Sequence, residues 1–327
     1  MLHRRRLITA ASMAVLYPQA VQAAITPALR RRSDDELVET IALRPSLHDY
    51  ARIGASVLIN GRGPFIFAVD SGSQRSMVAD SLAAELGLRT TGATQINGIT
   101  APASLPTVAV DELTFGRRPH TGLRLPVARK DILAADGLIG LDILAGFTLT
   151  FHIEQGLAEV SGQKLEFGDF GPTEATGTLI PPRWFSAGRT RAGQIITRMV
   201  RVGGVRSWAF VDSGAQHSVG NLVLMDALSG RRPRIGPSTP VDIYDIPGLT
   251  KPGRRAVVDQ LELPGYEIGQ TPLVFADLHI FDVLQLADKP AFLIGADLMG
   301  RFKRVVLDYP RARFGFELLR PEETASV

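Results

Sequence analysis

The chain has 327 residues, 45% hydrophobic and 21% charged, so a packed core is expected and global disorder is not. It has no cysteine, which excludes disulfides, thiol catalysis and cysteine-ligated metals. The net charge is +3 and the pI about 9.4, but Arg4, Arg5 and Arg6 lie in a segment expected to be removed and the remainder carries no net charge, so no nucleic-acid or anionic-membrane partner is called for.

Residues 1–23 read as a signal peptide: Arg4-Arg5-Arg6, an apolar stretch from Leu7 to Val15, and the small-residue site Val21-Gln22-Ala23 before Ala24. Arg5-Arg6-Leu7-Ile8 resembles a twin-arginine signal, so the Sec and twin-arginine routes both stay open. The apolar run is short for spanning and Pro18 interrupts it, so no stable membrane insertion is expected after cleavage. The expected location is periplasmic or secreted. Residues 24–48 form a leader or N-terminal extension, with a short helix expected from Ser33 (N-cap, with Glu36 at the third helical position) to Leu43. A first strand or a small prosegment are the alternatives there.

Gly 32 and Pro 21, scattered between short apolar runs, point to a β-rich fold. Ser56 to Ile59 runs into Asn60-Gly61, a hairpin signal, and Phe65 to Val69 returns as the second strand and ends at Asp70-Ser71-Gly72-Ser73. Met77 to Leu86 reads as a short helix closed by Gly87, and Ala93 to Ser104 as a hairpin of small residues. Val108 to Gly116 and Leu123 to Val127 read as strands. Asp136-Gly137-Leu138-Ile139-Gly140-Leu141-Asp142-Ile143-Leu144 comes next, then strands at Phe147 to Phe151 and Leu157 to Val160. A stretch rich in Gly, Pro, Thr and Arg, with Pro181-Pro182 inside it, reads as an interdomain linker at 169–192, part of which can pair as an edge strand.

The pattern then recurs. Ile195 to Val202, Gly203-Gly204 and Trp208 to Val211 lead into Asp212-Ser213-Gly214-Ala215. Leu261 to Gly265 repeats Leu113 to Gly116, and Phe292-Leu293-Ile294-Gly295-Ala296-Asp297-Leu298-Met299 repeats Gly137 to Leu144. A hairpin of Val305 to Tyr309 and Phe314 to Phe316 closes the copy. Two related β lobes are expected, at 49–168 and 193–320, with a tail at 321–327.

A single Asp-Ser-Gly is commonly an ordinary turn. Two copies, each behind an apolar strand and each with a downstream Leu-Ile-Gly, suit a pair of carboxylates meeting across a pseudo-twofold axis. Two such groups cannot both ionise, so one can take a proton from water while the other donates one. These residues resemble the aspartic proteases. Asp70-Ser71-Gly72-Ser73 and Asp212-Ser213-Gly214-Ala215 match the family's catalytic loop, and Leu138-Ile139-Gly140 and Leu293-Ile294-Gly295 its second signature. The Gly-x-Asp extension is similar to that of retroviral-type (retropepsin-like) members. The resemblance covers roughly residues 50–165 and 193–318. It implies an all-β fold of two retropepsin-like β-barrel lobes with short helices, fused in one chain as in pepsin, so no oligomer is required.

The same resemblance implies roles for individual residues. Asp70 and Asp212 form the dyad, Ser71 and Ser213 brace the loops across the interface, Gly72 and Gly214 allow close backbone approach, and Gly140 and Gly295 pass beneath. Ser73 is expected to donate its hydroxyl to Asp70, which Ala215 cannot do for Asp212, making Asp70 the more readily ionised. Flaps are expected around Gly98 and Tyr244. Asp142 and Asp297 read as helix caps. A Ser213–His217 nucleophile pair lacks an orienting motif, and the histidines have no zinc spacing. The implied function is an exported aspartic endopeptidase acting on protein or peptide substrates with activated water and no cofactor. The alternative is a catalytically silent protease-fold module that binds extended peptides in the cleft. A glycan-acting carboxylate pair is disfavoured, since its acid and base need not lie in duplicated loops.

Overall fold

A computed structural model describes residues 40–43, 52–153, 157–161, 183–191, 193–230, 234–246 and 248–318. The expected signal peptide, most of the 24–48 extension, much of the linker and the tail lie outside the described residues.

The fold is all-β with short helices. The sequence expectation for each hairpin rests on residues that accept positive φ, and the turns use them that way. Asn60 and Gly61 sit at φ 50° and 71°, and Gly203 and Gly204 at 51° and 78°, the left-handed pairs that match strand twist in two-residue hairpins. The strands they join are Arg52–Ile59 with Arg62–Val69, and Ile195–Val202 with Val205–Val211.

Eight strands between Thr40 and Ile139 make one sheet, and ten between Gly188 and Ile294 make another. In the first, Val57–Ile59 also pairs with Leu113–Phe115, so the sheet folds back on itself. A third sheet of five strands draws on both halves of the chain. Thr148–His152 pairs with Phe302–Asp308, and Arg183–Ser186, from the expected linker, pairs with Arg313–Phe316.

In each half the strand that leads to Asp-Ser-Gly is central. Phe67–Val69 runs parallel to Gly137–Ile139, and Trp208–Val211 parallel to Ala291–Ile294. Each continues for one further bond, from Asp70 N to the Ile139 carbonyl (3.0 Å) and from Asp212 N to the Ile294 carbonyl (2.9 Å). The loops therefore start from buried rows of backbone bonds. Apolar side chains fix those rows: Phe67, Val69, Phe210, Leu293 and Ile294 are all buried, and a fully buried side chain of this kind contributes about 1.5–3 kcal/mol.

Two expected helices change. Met77–Ala79 is a strand and only Asp80–Glu85 is helical. Met77 and Val78 pair with Leu138 and Gly137, and Val78 and Ala79 with Val127 and Ala128, so sheet partners on both sides outweigh helical propensity. Thr40–Leu43, the end of the helix expected from Ser33, is an edge strand on Leu43↔Arg52 through Thr40↔Ala55. The rest of that helix lies outside the described residues. Among the described residues no helix is long and apolar enough to cross a membrane.

Candidate active site

Asp70 and Asp212 are brought together. Each carboxylate is oriented by its own loop: Asp70 Oδ1 accepts from the backbone N–H of Gly72 (2.9 Å) and Ser73 (3.0 Å), and Asp212 Oδ1 from those of Gly214 (2.9 Å) and Ala215 (3.1 Å). The two carboxyl groups interact with each other and are only 5% and 6% exposed. A Cβ on Gly72 would overlap the Asp212 carboxylate, and one on Gly214 the Asp70 carboxylate, so only glycine lets each loop lie against the opposite acid.

Ser71 and Ser213 interlock the loops. The Ser71 hydroxyl donates to the Val211 carbonyl (3.0 Å) and accepts from Ser213 N (2.9 Å). The Ser213 hydroxyl donates to the Val69 carbonyl (2.8 Å) and accepts from Ser71 N (3.0 Å). These four bonds satisfy buried backbone groups and tie the two halves at their centre. With its hydroxyl committed to Val69, Ser213 is no partner for His217. That histidine lies at the cleft, with Nδ1 3.7 Å from Asp297 Oδ2.

Gly140 and Gly295 close beneath. A Cβ at Gly140 would lie 2.6 Å from the Arg75 carbonyl carbon, and one at Gly295 2.6 Å from that of His217. Here a feature missed in the sequence appears in both copies. Ser76 and Ser218, each six positions after its aspartate, accept from Gly140 N and Gly295 N (3.0 Å each) and donate to Asp142 Oδ1 (2.7 Å) and Asp297 Oδ1 (2.6 Å). Asp142 and Asp297 are thus not N-caps: Gly140 and Gly295 hold those positions, and the carboxylates clamp the far ends of the two loops. Aligning the repeats over the whole loop would have exposed the paired serines.

The expected Ser73 contact is corrected as well. Its hydroxyl donates to the Arg75 carbonyl (2.9 Å), because Asp70 Oδ1 is already filled by two backbone donors. Without that contact the expected reason for easier ionisation of Asp70 falls away. Burial pushes both carboxyls above the usual carboxylate range, and Asp212 goes further because the Asp70 charge faces it. On Asp70 the Arg52 guanidinium works the other way. Below the pair, burial pushes up the Tyr309 phenol, whose hydroxyl donates to the Ser71 carbonyl (3.4 Å).

A cleft of about 470 Å³ opens over the carboxyls. Two hairpins cover it, Thr90–Asn97 with Pro102–Phe115 and Thr239–Tyr244 with Thr250–Val258. Gly98 lies at the first tip; Tyr244 ends a strand of the second, lines the cleft and is 72% exposed. The contact between the tips is made by residues the sequence did not single out. Asp245 Oδ2 accepts from Thr100 N (3.2 Å) and from the Thr100 hydroxyl, and both residues are buried.

Residues 55–143 match the family model described as aspartyl protease. This stretch is similar to the aspartyl protease family. It contains the Asp70 loop, the first hairpin tip and Gly140, and the motif resemblance read from the sequence is upheld there. The Asp212 half lies beyond the matched residues and is tied to them by the repeat and by the bonds above. No curated protein matches the chain.

Proposed function

We propose that this chain is an exported aspartic endopeptidase of two retropepsin-like β-barrel lobes, with Asp70 and Asp212 as its catalytic dyad. The observation that carries this reading is the meeting of two buried carboxyls, one from each repeat, at the floor of a covered cleft. The pair holds one proton between its two members, placed in the following steps on Asp212, whose affinity burial and the facing Asp70 charge raise. Asp70, as carboxylate, takes a proton from a water molecule while that water adds to the peptide carbonyl carbon. Asp212 donates its proton to the carbonyl oxygen, giving a neutral tetrahedral diol. Collapse of the diol breaks the C–N bond as a proton passes from the dyad to the amine and one diol proton returns to it. No cofactor enters. Cleft hairpins above the dyad suit an extended peptide, whose backbone can bond to strand edges.

Export is supported by the arrangement of Arg4–Arg6, the apolar Leu7 to Val15 and Val21-Gln22-Ala23. N-terminal sequencing of the exported protein should begin at Ala24, and retention of residues 1–23 would overturn that part.

The activity test is cleavage of an unbiased peptide mixture by wild type, Asp70→Asn and Asp212→Asn from acid to neutral pH, with and without a pepstatin-type inhibitor. Cleavage by wild type and its loss, by more than about a thousandfold, in either variant is expected. Equal cleavage by all three would remove the dyad. Peptide binding without cleavage by wild type would establish the silent binding module instead.

A further inference from the structure

The two repeats place different side chains at one equivalent position. In the first hairpin Gly54 pairs with Ala68, and in the second Ile196 pairs with Phe210. Carried on in register, Arg52 stands across from Asp70 and Gln194 across from Asp212. Gln194 is fully engaged: Nε2 donates to the Gly72 carbonyl (3.0 Å) and Oε1 accepts from the Thr190 hydroxyl (2.9 Å). Arg52 is not. Its Nη2 donates to the Leu133 carbonyl (2.6 Å), and among the described residues its Nε has no hydrogen-bond partner and no carboxylate lies within ion-pairing distance. The residue is 7% exposed and lines the same cleft as Asp70 and Asp212.

A buried guanidinium without a paired anion is costly, and a cleft wall is a place where a ligand can supply one. Desolvation by burial disfavours this cation, and only the longer-range attraction of Asp70 and Asp212 offsets it. Asp131, the nearest carboxylate in sequence to the Leu133 contact, is already held by Arg129. Arginine's planar fork accepts a carboxylate in two parallel bonds, which a lysine or glutamine cannot reproduce.

We propose that Arg52 is a specificity-determining residue that pairs with a carboxylate of the bound peptide, so that the cleft selects acidic peptides. This rests on the reading of the cleft as a peptide site. The carboxylate can come from a Glu or Asp side chain or from a free C-terminus, and the test separates the two.

Binding is measured at neutral pH on Asp212→Asn protein, which needs no turnover. The probes are fluorescent peptides with Glu or Gln scanned through each position, and with a free or an amidated C-terminus. With Arg52 present, one Glu position or the free terminus should improve binding by about tenfold or more over its neutral match. In Arg52→Gln, matching the other repeat, that ratio should fall to about one, and Arg52→Lys should restore only part of it. Circular dichroism and the melting temperature establish that each variant is folded. Equal binding of every charged and neutral pair by the Arg52 protein would overturn the proposal without reference to any variant. So would a ratio that survives Arg52→Gln. Failure of all peptides, charged or neutral, to bind would instead remove the peptide-site reading on which it rests.

Discussion

Replacing Ser71 by Ala removes one oxygen and strands two buried backbone groups. The Val211 carbonyl loses its donor at 3.0 Å and Ser213 N loses its acceptor at 2.9 Å. Val211 is 4% exposed and Ser213 5%, so water has little access to either. An unsatisfied buried group costs about 1–3 kcal/mol, and some relaxation of the loops recovers part of it, so about 2–4 kcal/mol of destabilisation is expected. That is a large fraction of the ~5–15 kcal/mol typical of a folded domain. Ser213→Ala removes the mirror-image pair of bonds, to Val69 and Ser71 N, and should cost a similar amount. The double variant should cost less than the sum, because all four bonds join the same two segments and breaking either pair already loosens them. Ser71→Thr keeps the oxygen and should recover most of the loss. Guanidinium denaturation followed by intrinsic fluorescence reads all four proteins, the midpoint falling with little change in slope. A Ser71→Ala protein within about 0.5 kcal/mol of wild type would refute the claim that this interlock holds the loops together.

Four other outcomes are expected from the geometry. Gly140→Ala drives a Cβ to 2.6 Å from the Arg75 backbone and should cost more than about 1–3 kcal/mol in a thermal melt, whereas Gly146→Ala meets nothing within 4 Å and should stay within about 1 kcal/mol of wild type. Ser73→Ala breaks only an exposed bond to Arg75, so the pH profile of cleavage should not move; a shift would reinstate a hydroxyl contact to Asp70. Asp245→Ala removes the acceptor shared by Thr100 N, the Thr100 hydroxyl and Leu249 N (2.9 Å), so hydrogen exchange at the two hairpin tips should speed by at least about tenfold and KM should rise; unchanged exchange would show that the tips are held elsewhere. Asp212 has its proton affinity raised by folding, so its contribution to stability is fully present below the ordinary carboxylate range and is lost as pH rises from there through the raised value. Asp212→Asn lacks that loss, so its melting temperature relative to wild type should climb as pH rises above the ordinary carboxylate range, and a pH-independent difference would contradict the burial argument.

How much of this was legible in the sequence depended on whether the information was local or repeated. Asn60-Gly61 and Gly203-Gly204 carry their turns in their own backbone preferences, and both hairpins formed where expected. The two Asp-Ser-Gly loops and the two downstream glycines were visible because they occur twice. Thr40–Leu43 was legible only as one alternative to a helix: a Thr-Ile-Ala-Leu stretch becomes an edge strand once Arg52–Ala55 is beside it. Met77–Ala79 was misread for the same reason, its strand character coming from Leu138 and Val127. The Ser73 expectation counted a possible donor without counting the acceptor's capacity, which Gly72 and Ser73 N–H groups already fill. Thr100 and Asp245 lie far apart in sequence and carry no motif, so their contact waits on the fold.

The duplication separates what holds the centre together from what distinguishes its two sides. Residues identical in both copies, Ser71 and Ser213, Ser76 and Ser218, Gly140 and Gly295, make matching bonds that fix the loops and have no preferred side. Where the copies differ the environment differs: Ser73 against Ala215, Arg75 against His217, Arg52 against Gln194. Only the last of these differences sets a buried positive charge near the carboxyl pair and on the wall of the cleft. A carboxyl pair built from two like halves is symmetric, so any difference between Asp70 and Asp212 enters where the copies differ. Arg52 is one such place. On the proposed reading, the same guanidinium would give the site two properties that a symmetric one would lack, a bias within the carboxyl pair and a preferred side for an anionic group on the peptide.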